Sequence, residues 1–232
     1  MTDYMERTNP NIHSSEFMVK KCHHTVVAEG IYLRHGKRLL DVAWALVLLA
    51  VFLPVIVIVA VGVWRTGAPV LFGHRRVGRR GAEFRCLKFS SMVPDAETRL
   101  QELLARDPVA RQQWDENHKL DNDPRITRFG HLLRKSSMDE LPQLWNVLVG
   151  DMSLVGPRPV TAEELSRYGK DSKDYLRLRP GLTGRWQVGG RNDVTYDERV
   201  AMDCAYAREV GLMTDLAILL RTVGVVLSRN GR

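Results

Sequence analysis

The longest apolar run of the chain extends from Val42 to Trp64 and contains no charged residue. As a straight α-helix rising about 1.5 Å per residue, it would be roughly 34 Å long. That exceeds the ~30 Å hydrocarbon core of a bilayer, so the length permits a full crossing. A run this long and this uniformly apolar is not typical of a buried helix in a soluble protein. The pattern therefore predicts a membrane segment.

The charges on either side of the run oppose a simple crossing. The flanking basic residues are Arg34, Lys37 and Arg38 before it, and Arg65, Arg75, Arg76, Arg79 and Arg80 after it. Basic residues close to a membrane segment prefer the cytoplasmic side. Because both ends are basic, a straight span places one of the two groups on the unfavoured side.

Pro54, inside the run, allows a second topology. Proline lacks an N–H donor and clashes with the preceding turn, so it kinks a helix. A helix kinked at Pro54 enters the inner leaflet and returns to the face from which it came. Membrane helices also accept a proline within an ordinary span. The residues alone leave both topologies open.

Beyond the apolar run the pattern becomes mixed and charged. Residues 70–89 alternate between apolar and polar positions around Gly78 and Gly81, which predicts a β-hairpin. Leucines at positions 100, 103 and 104 follow Asp95, a suitable N-cap residue, and predict an amphipathic helix. A further helix is predicted to continue from Pro108.

The C-terminal part of the chain is also predicted to be helical. Residues 196–210 have helical spacing, and the apolar stretch 215–227 is interrupted by Arg221. This stretch is too short to span a bilayer and suits a helix that lies in the membrane interface.

The amino-acid composition and net charge indicate which classes of molecule the protein binds. The 232 residues carry a net charge of +7 with a pI near 9.5, which indicates an anionic partner such as nucleic acid, anionic lipid or a phosphorylated substrate. The three cysteines have no CxxC spacing, so we expect neither a zinc site nor a disulfide framework, and a reducing environment fits them. No apolar segment before Val42 resembles a signal peptide.

The densest chemical pattern lies at residues 123–159. Ser137 and Glu140 have the spacing of a capping box, with Pro142 in the first turn of the following helix. Taken alone, Asp139 and Glu140 would only complement a helix dipole. The basic residues around them are Arg125, Arg128, Arg134, Lys135 and, in the turn "GPRP", Arg158.

Two adjacent carboxylates among arginines suit a site that handles phosphates with a divalent metal. An aspartate can act as a nucleophile and form an acyl phosphate. Mg²⁺ is usually held by one or two carboxylates together with substrate phosphates, and arginine binds phosphate oxygens bidentately. Without such a site, the arginines would form a solvated basic face and "GPRP" a rigid loop.

From about Lys37 to the C-terminus the chain closely resembles the bacterial sugar transferases that are monotopic phosphoglycosyl transferases. The matching motifs are "KRLLD", the pattern from Arg76 to Met92, "DPRITRFG", "SSMDELPQLWNVLVGDMSLVGPRP" and "RPGLTGRWQV". Long motifs in this order are highly specific. Within the family, the chain is most similar to the short members that initiate exopolysaccharide synthesis.

The resemblance implies a ping-pong reaction at an Asp–Glu dyad with Mg²⁺. Asp139 would attack the sugar-linked phosphate of a UDP-sugar and release UMP, and a polyprenyl (undecaprenyl) phosphate would then accept the phosphosugar. Glu140, with Asp139, would hold the metal. Galactose or glucose is the expected sugar. The expected phosphate and substrate contacts are Lys88, Arg134 and Arg158, with Thr183 and Gln187 from the "PGLTGRWQ" loop.

The resemblance also implies the architecture and the location. We expect an α-rich α+β, monotopic membrane protein at the cytoplasmic face of the bacterial inner membrane. Residues 1–33 would be an N-terminal tail, 34–66 a re-entrant membrane helix broken at Pro54, and 67–232 a cytosolic catalytic domain with an interfacial C-terminal helix. The expected partners are UDP-sugar, polyprenyl phosphate and inner-leaflet lipid, without nucleic acid; a homo-oligomer stays open.

Three features depart from the family pattern, one of which is the segment "YAREVG" at residues 206–211, which differs from the family's usual tail. His74 stands where glutamine is common, and Ser90 where the pattern usually has arginine, so one positive charge is missing near the expected phosphates. A membrane-anchored scaffold without catalysis is the alternative function, and it would be favoured only by a broken Asp139–Glu140 pair. A nucleic-acid-binding protein is suggested by charge alone and leaves the apolar run unexplained.

Overall fold

The computed structural model describes residues 31–117, 120, 122–189 and 194–227. The α-helices are α1 (Lys37–Trp64), α2 (Ala96–Arg106), α3 (Pro108–Asn117), α4 (Arg128–Ser136), α5 (Gln143–Val149), α6 (Ala162–Ser166), α7 (Ser172–Arg177), α8 (Arg185–Gly189), α9 (Tyr196–Glu209) and α10 (Leu212–Leu227). The strands are β1 (Leu71–Val77), β2 (Glu83–Phe89), β3 (Ser153–Val155) and β4 (Gly181–Thr183). The α-rich α+β class predicted from the sequence is confirmed.

Two small sheets are surrounded by the helices. β1 and β2 form the predicted antiparallel hairpin, in which Leu71 pairs with Phe89 and Val77 with Glu83. β3 and β4 are parallel, and Ser153 pairs with Gly181. The second sheet places the "GPRP" turn beside the "PGLTG" loop, although the two motifs are well separated in the sequence.

The helix of the apolar run is long enough and apolar enough to cross a membrane. A π-helical turn at Tyr32–Gly36 precedes it, so helical structure already begins inside the segment predicted as tail, of which residues 1–30 lie outside the described part. α1 continues through Pro54. Whether it is re-entrant stays a prediction.

One stripe of α1 packs against the rest of the molecule. Near its N-terminus, Lys37, Asp41 and Ala45 are buried, and near its C-terminus Val59 and Val63 are buried. Residues 50–54 between these two parts are all exposed. The packed stripe is therefore interrupted at the segment that ends with Pro54.

The predicted amphipathic helix after Asp95 and the helix predicted from Pro108 are both confirmed. Leu100 and Leu104 of α2 are buried against Ala110 of α3. Asp95 occupies the N-cap position of α2, but its side chain does not cap the helix and instead accepts a hydrogen bond from Arg99 (Oδ2–Nε 2.9 Å). The capping boxes that do form, at Thr161 before α6 and Thr195 before α9, were not predicted.

α10 is amphipathic, as expected of an interfacial helix. Asp215 and Ile218 are buried, whereas Met213, Leu220 and Val223 are well exposed. A row of exposed apolar side chains on one helix is typical of a surface that contacts lipid or protein.

Candidate active site

The two central carboxylates lie on a short 3₁₀ turn, Met138–Glu140, between α4 and α5. Ser137 ends α4 in the left-handed conformation (φ 57°), and its side chain makes no capping hydrogen bond. The predicted capping box of Ser137 and Glu140 is therefore wrong. The left-handed residue turns the backbone away from the axis of α4, and this leaves Glu140 free to face β2. Pro142 occupies the N-cap position of α5, just before its first turn.

Lys88 on β2 joins the two carboxylates. Its Nζ lies 2.7 Å from Oε1 of Glu140 and 3.8 Å from Oδ2 of Asp139. About a third of the Lys88 and Glu140 side chains is exposed, whereas Asp139 is buried. The structure thus brings together three residues that the sequence analysis selected, in a position open to a ligand from one side.

The environment of Asp139 disfavours its negative charge. Burial raises the pKa of the Asp139 carboxyl above its ordinary value and the neighbouring Glu140 raises it further, while Lys88 and Arg134 oppose the rise. A carboxylate with few water contacts is less hindered by solvation when it attacks an electrophile. This environment suits a nucleophile.

Arg134 lies next to this carboxylate. Burial lowers the pKa of its guanidinium, and the charge of Asp139 opposes that change. Arg134 Nε donates to Oγ of Ser91 at 2.9 Å. The approach of α4 to residue 91 requires Gly130, because a Cβ there would lie only 1.9 Å from the carbonyl oxygen of Ser91. Close packing thus explains the glycine of the "RFG" motif.

Asn146 fixes the distance between the strand of Lys88 and the helix after the dyad. Its Oδ1 accepts from the backbone N–H of Leu87 at 2.9 Å, and its Nδ2 donates to the carbonyl of Arg85 at 2.9 Å. Nδ2 also donates to Asp151 Oδ2 at 3.1 Å. The sequence analysis did not select Asn146, because a lone asparagine in a helical pattern carries no signal of its tertiary partners.

Arg158 is exposed and lies over the ring of Trp186, with Cζ 5.0 Å from the ring centre. The loop that carries it packs closely against the "PGLTG" loop. A Cβ on Gly181 would lie 2.1 Å from the backbone nitrogen of Gly156, and a Cβ on Gly184 would lie 2.3 Å from the carbonyl oxygen of Gly156. The glycines of both motifs are explained by this contact.

Thr183 and Gln187 are engaged within the protein. Thr183 Oγ1 lies 2.8 Å from Oγ1 of Thr222 on α10 and is buried. Gln187 Nε2 donates to the carbonyl of Leu182 at 3.0 Å. The expectation that these two residues contact a nucleotide sugar stays a prediction, as do the phosphate contacts of Lys88, Arg134 and Arg158.

Arg125, one of the basic residues near the dyad in sequence, has a structural partner. Its guanidinium forms two hydrogen bonds with the carboxylate of Asp123 (2.8 and 2.7 Å), and both residues are buried. Arg125 also lies over Trp114, with Cζ 4.9 Å from the ring centre. Sequence proximity to the dyad therefore does not identify it as a phosphate contact.

The residues present fit a magnesium ion bound with substrate. Asp139 and Glu140 place two carboxylates side by side, with the cations Lys88 and Arg134 around them. Carboxylate oxygens are the ligands that Mg²⁺ takes from proteins, and it completes its coordination with phosphate and water oxygens. Asp139 and Glu140 would hold it.

The family model of the bacterial sugar transferases matches residues 32–229. A UDP-galactose-lipid carrier transferase of Erwinia amylovora is 54% identical over 198 residues, which cover 85% of this chain and 42% of the relative. An undecaprenyl-phosphate galactose phosphotransferase of Salmonella typhimurium is 51% identical with the same coverage. The exopolysaccharide production protein ExoY of Rhizobium meliloti is 47% identical, covering 84% of this chain and 87% of the relative.

The chain belongs to the bacterial sugar transferase family, as the motifs predicted. It spans about two fifths of the length of the Erwinia and Salmonella relatives and most of ExoY. The matched region contains the dyad, Lys88 and the apolar helix.

Proposed function

We propose that this chain transfers a sugar 1-phosphate from a UDP-sugar to polyprenyl phosphate and releases UMP, as the first membrane step of exopolysaccharide synthesis. The observation that carries the proposal is the cluster of Lys88, Asp139 and Glu140, with a buried nucleophile beside an exposed ion pair. The names of the Erwinia and Salmonella relatives both contain galactose, and that of the Salmonella relative also contains undecaprenyl phosphate. Galactose is therefore our first choice of sugar and glucose the second.

The reaction proceeds in two displacements at one phosphorus atom. An Oδ atom of Asp139 attacks the sugar-linked phosphorus, the bond from that phosphorus to the bridging oxygen breaks, and UMP leaves. A phosphate oxygen of the polyprenyl phosphate then attacks the same phosphorus and releases the Asp139 carboxylate. The products are UMP and a polyprenyl diphosphate sugar.

The other residues of the site stabilise charge. Lys88 can exchange its contact with Glu140 for the incoming diphosphate, because its ammonium group is accessible. Arg134 is placed beside Asp139, and Arg158 is exposed on its loop. A Mg²⁺ ion held by the dyad carboxylates would supply Lewis-acid polarisation of the diphosphate.

We propose further that α1 is re-entrant, with both ends on the cytoplasmic side of the inner membrane. The support is the packing of both ends of α1 against the same catalytic unit, with an exposed segment at residues 50–54 between them. The basic flanks favour the same arrangement. The exposed apolar face of α10 would then lie in the interface beside it.

UMP release from a panel of UDP-sugars tests the function. The full chain, held in nanodiscs with polyprenyl phosphate, is expected to release UMP from UDP-galactose or UDP-glucose. Release should stop when EDTA removes the metal. If no UDP-sugar yields UMP, the transferase assignment fails and the scaffold remains. Activity that persists in EDTA contradicts the magnesium requirement alone.

A trapping experiment tests the covalent step separately. Incubation with a UDP-sugar labelled in the sugar, without polyprenyl phosphate, should leave label on Asp139. An acyl phosphate is cleaved by hydroxylamine, which should release that label. Absence of any adduct, together with kinetics that require both substrates bound at once, would replace the two displacements by a direct transfer.

A further inference from the structure

The structure contains a basic cavity at the tip of the β1–β2 hairpin. Its volume is about 270 Å³, and its polar lining comprises Arg79, Arg80, Glu83, Asp151 and Arg179, with the backbone of Gly150. Lys88 is five residues along β2 from Glu83, which at about 3.3 Å per residue corresponds to roughly 17 Å. The cavity is therefore separate from the dyad.

The charge around this cavity is predominantly positive. Burial lowers the pKa of the Arg179 guanidinium, and the positive charges of Arg38, Arg79 and Arg80 lower it further. Three arginines line the cavity against two carboxylates, and Arg38 lies just behind Gly150. An anion in the cavity would relieve this repulsion between like charges.

Two of the three cavity arginines have a distinctive backbone environment. Arg179 Nε donates to the carbonyl of Gly150 at 2.8 Å. Arg80 is exposed and has a φ of 60°, a left-handed conformation that favours glycine or asparagine over arginine. Unfavourable backbone conformations are found most often at functional sites.

The position of Arg38 shows that the cavity lies near the start of the apolar helix α1. Arg38 lies in the first turn of α1, shortly before the uncharged run begins at Val42. Its guanidinium donates to the carbonyls of Val147 (2.5 Å) and Leu148 (2.7 Å), at the end of α5. The cavity thus lies beside the end of α1 that, under the proposed topology, meets the polar surface of the bilayer.

We propose that this cavity binds the phosphate group of a membrane lipid. Arginine guanidinium groups bind phosphate oxygens bidentately. The carboxylates of Glu83 and Asp151 on the same wall can accept hydrogen bonds from headgroup hydroxyls. The phosphate has two possible sources with this chemistry: an anionic phospholipid such as phosphatidylglycerol, or a second polyprenyl phosphate. The location at the bilayer rests on the proposed topology, but the lipid count below does not depend on transfer activity.

Native mass spectrometry of the detergent-held full chain tests the proposal with each lipid in turn. The variant is Arg80→Asn, which removes the cation and tolerates the left-handed backbone. The control is Arg106→Gln, which removes one exposed charge at the end of α2. We expect one retained lipid that Arg80→Asn reduces at least fivefold and Arg106→Gln leaves unchanged.

The two lipids identify the source. If Arg80→Asn retains less phosphatidylglycerol than the original chain, the cavity is a phospholipid site. If it retains less polyprenyl phosphate, the cavity is a second site for the acceptor lipid. Arg179→Gln should reproduce the loss if it folds. Equal retention of both lipids by the original chain and Arg80→Asn would overturn the proposal, as would a similar loss in Arg106→Gln.

Discussion

Two lysine–carboxylate clusters in this chain contain the same chemical groups but differ in their exposure to solvent. Lys37 at the start of α1 lies 2.6 Å from Oδ2 of Asp215 on α10, and both side chains are almost fully buried. Lys88 lies 2.7 Å from Oε1 of Glu140, and about a third of each side chain is exposed. Only the second cluster can exchange its partner for a ligand.

In the Lys37 cluster both carboxylate oxygens of Asp215 accept hydrogen bonds. Asp215 Oδ2 also accepts from the hydroxyl of Tyr32 at 2.6 Å, and its Oδ1 accepts from Tyr206 at 2.7 Å. Nearby, Asp41 accepts from the backbone N–H of Leu154 at 3.0 Å. This network joins the start of the apolar helix to α9, α10 and β3. It explains the "KRLLD" motif as a structural clamp.

The comparison distinguishes a buried cluster that holds the fold together from a partly exposed cluster whose charges can still bind a ligand. Removing one partner of a buried ion pair is costly, because the other charge then stays buried without compensation. An exposed pair is worth little to stability, but its charges remain available to substrate. Substitutions in the two clusters should therefore affect different measurements.

The largest effect is expected for Asp139→Asn, on activity alone. An amide is not a nucleophile for phosphorus, so UMP release should fall at least about 10³-fold, which corresponds to roughly 4 kcal/mol. The melting temperature should stay within a few degrees or rise, because a buried charge is removed. Glu163→Gln, an exposed acid on α6, is the control and should retain full activity. Substantial turnover by Asp139→Asn would refute the nucleophile assignment.

The next largest effect is expected for Asp215→Asn, on stability. Removing one partner leaves Lys37 charged and buried, at a cost of about 3–5 kcal/mol. Thermal unfolding of the nanodisc-held protein should show a clear decrease in melting temperature. The matched control is Asp95→Asn, whose solvent-exposed pair with Arg99 contributes little to stability. Equal losses in the two variants would show that the clamp adds no more than a surface ion pair.

Asn146→Leu is expected to affect both properties. It leaves the buried acceptor and donor groups of β2 without partners, at about 1–3 kcal/mol, and it loosens Lys88 against the dyad. We expect kcat to fall about tenfold with a smaller change in KM.

Leu104→Ala controls for destabilisation. It removes a buried side chain in the α2–α3 cluster, at a cost of about 2–5 kcal/mol. Activity per folded molecule should not change in Leu104→Ala. If the two variants lose kcat equally, Asn146 is structural and does not position the site.

A smaller effect is expected from Asp203 on α9, which should make the stability of the protein depend on pH. Burial raises the pKa of the Asp203 carboxyl to about 7, and the hydrogen bond that Tyr168 donates to its Oδ2 at 2.9 Å and the backbone and charge of Arg158 oppose this rise. In the unfolded chain the pKa is about 3.9. Between these values the folded state binds the extra proton, so stability falls as pH rises, by at most about 1.4 kcal/mol per pH unit.

Asp203→Asn should remove this decline and therefore be more stable than the original chain at pH 8. Denaturant unfolding at pH 5 and pH 8 measures both quantities. Asp197→Asn, on the same helix, is the control and should leave the slope unchanged. An unchanged slope in Asp203→Asn would assign the pH dependence to other groups.

Pro54→Leu is expected to shift only part of the population. Leucine restores the N–H donor and relieves the clash, so the uncharged run can form a straight span. The Lys37–Asp215 clamp holds the start of α1 on the catalytic unit and limits the shift. An impermeant thiol reagent should label an N-terminal cysteine from the periplasm in a minor fraction of molecules, and in a larger fraction when Asp215→Asn is added.

The control for this labelling retains Pro54, lacks the native cysteines and carries the same introduced N-terminal cysteine. It should show no labelling from the periplasm. Labelling of that control would contradict the re-entrant topology.

The sequence by itself determined what depends on local pattern and on motif. The uncharged run, the alternation around Gly78 and Gly81 and the leucine spacing of α2 report backbone structure directly, because each follows from the period of a helix or strand. The motifs identified the family and the pair Asp139–Glu140. Local rules failed at Ser137, whose capping pattern was overridden by the chain reversal after α4.

Only the tertiary structure decided which charges act together. Arg125 is nearer to the dyad in sequence than Lys88, yet it pairs with Asp123, while Lys88 reaches both carboxylates. Lys37 finds Asp215 across nearly the whole chain. The physical reason is that a charge is stabilised by whatever surrounds it after burial. Those surroundings are set by packing between distant segments, which no local pattern records.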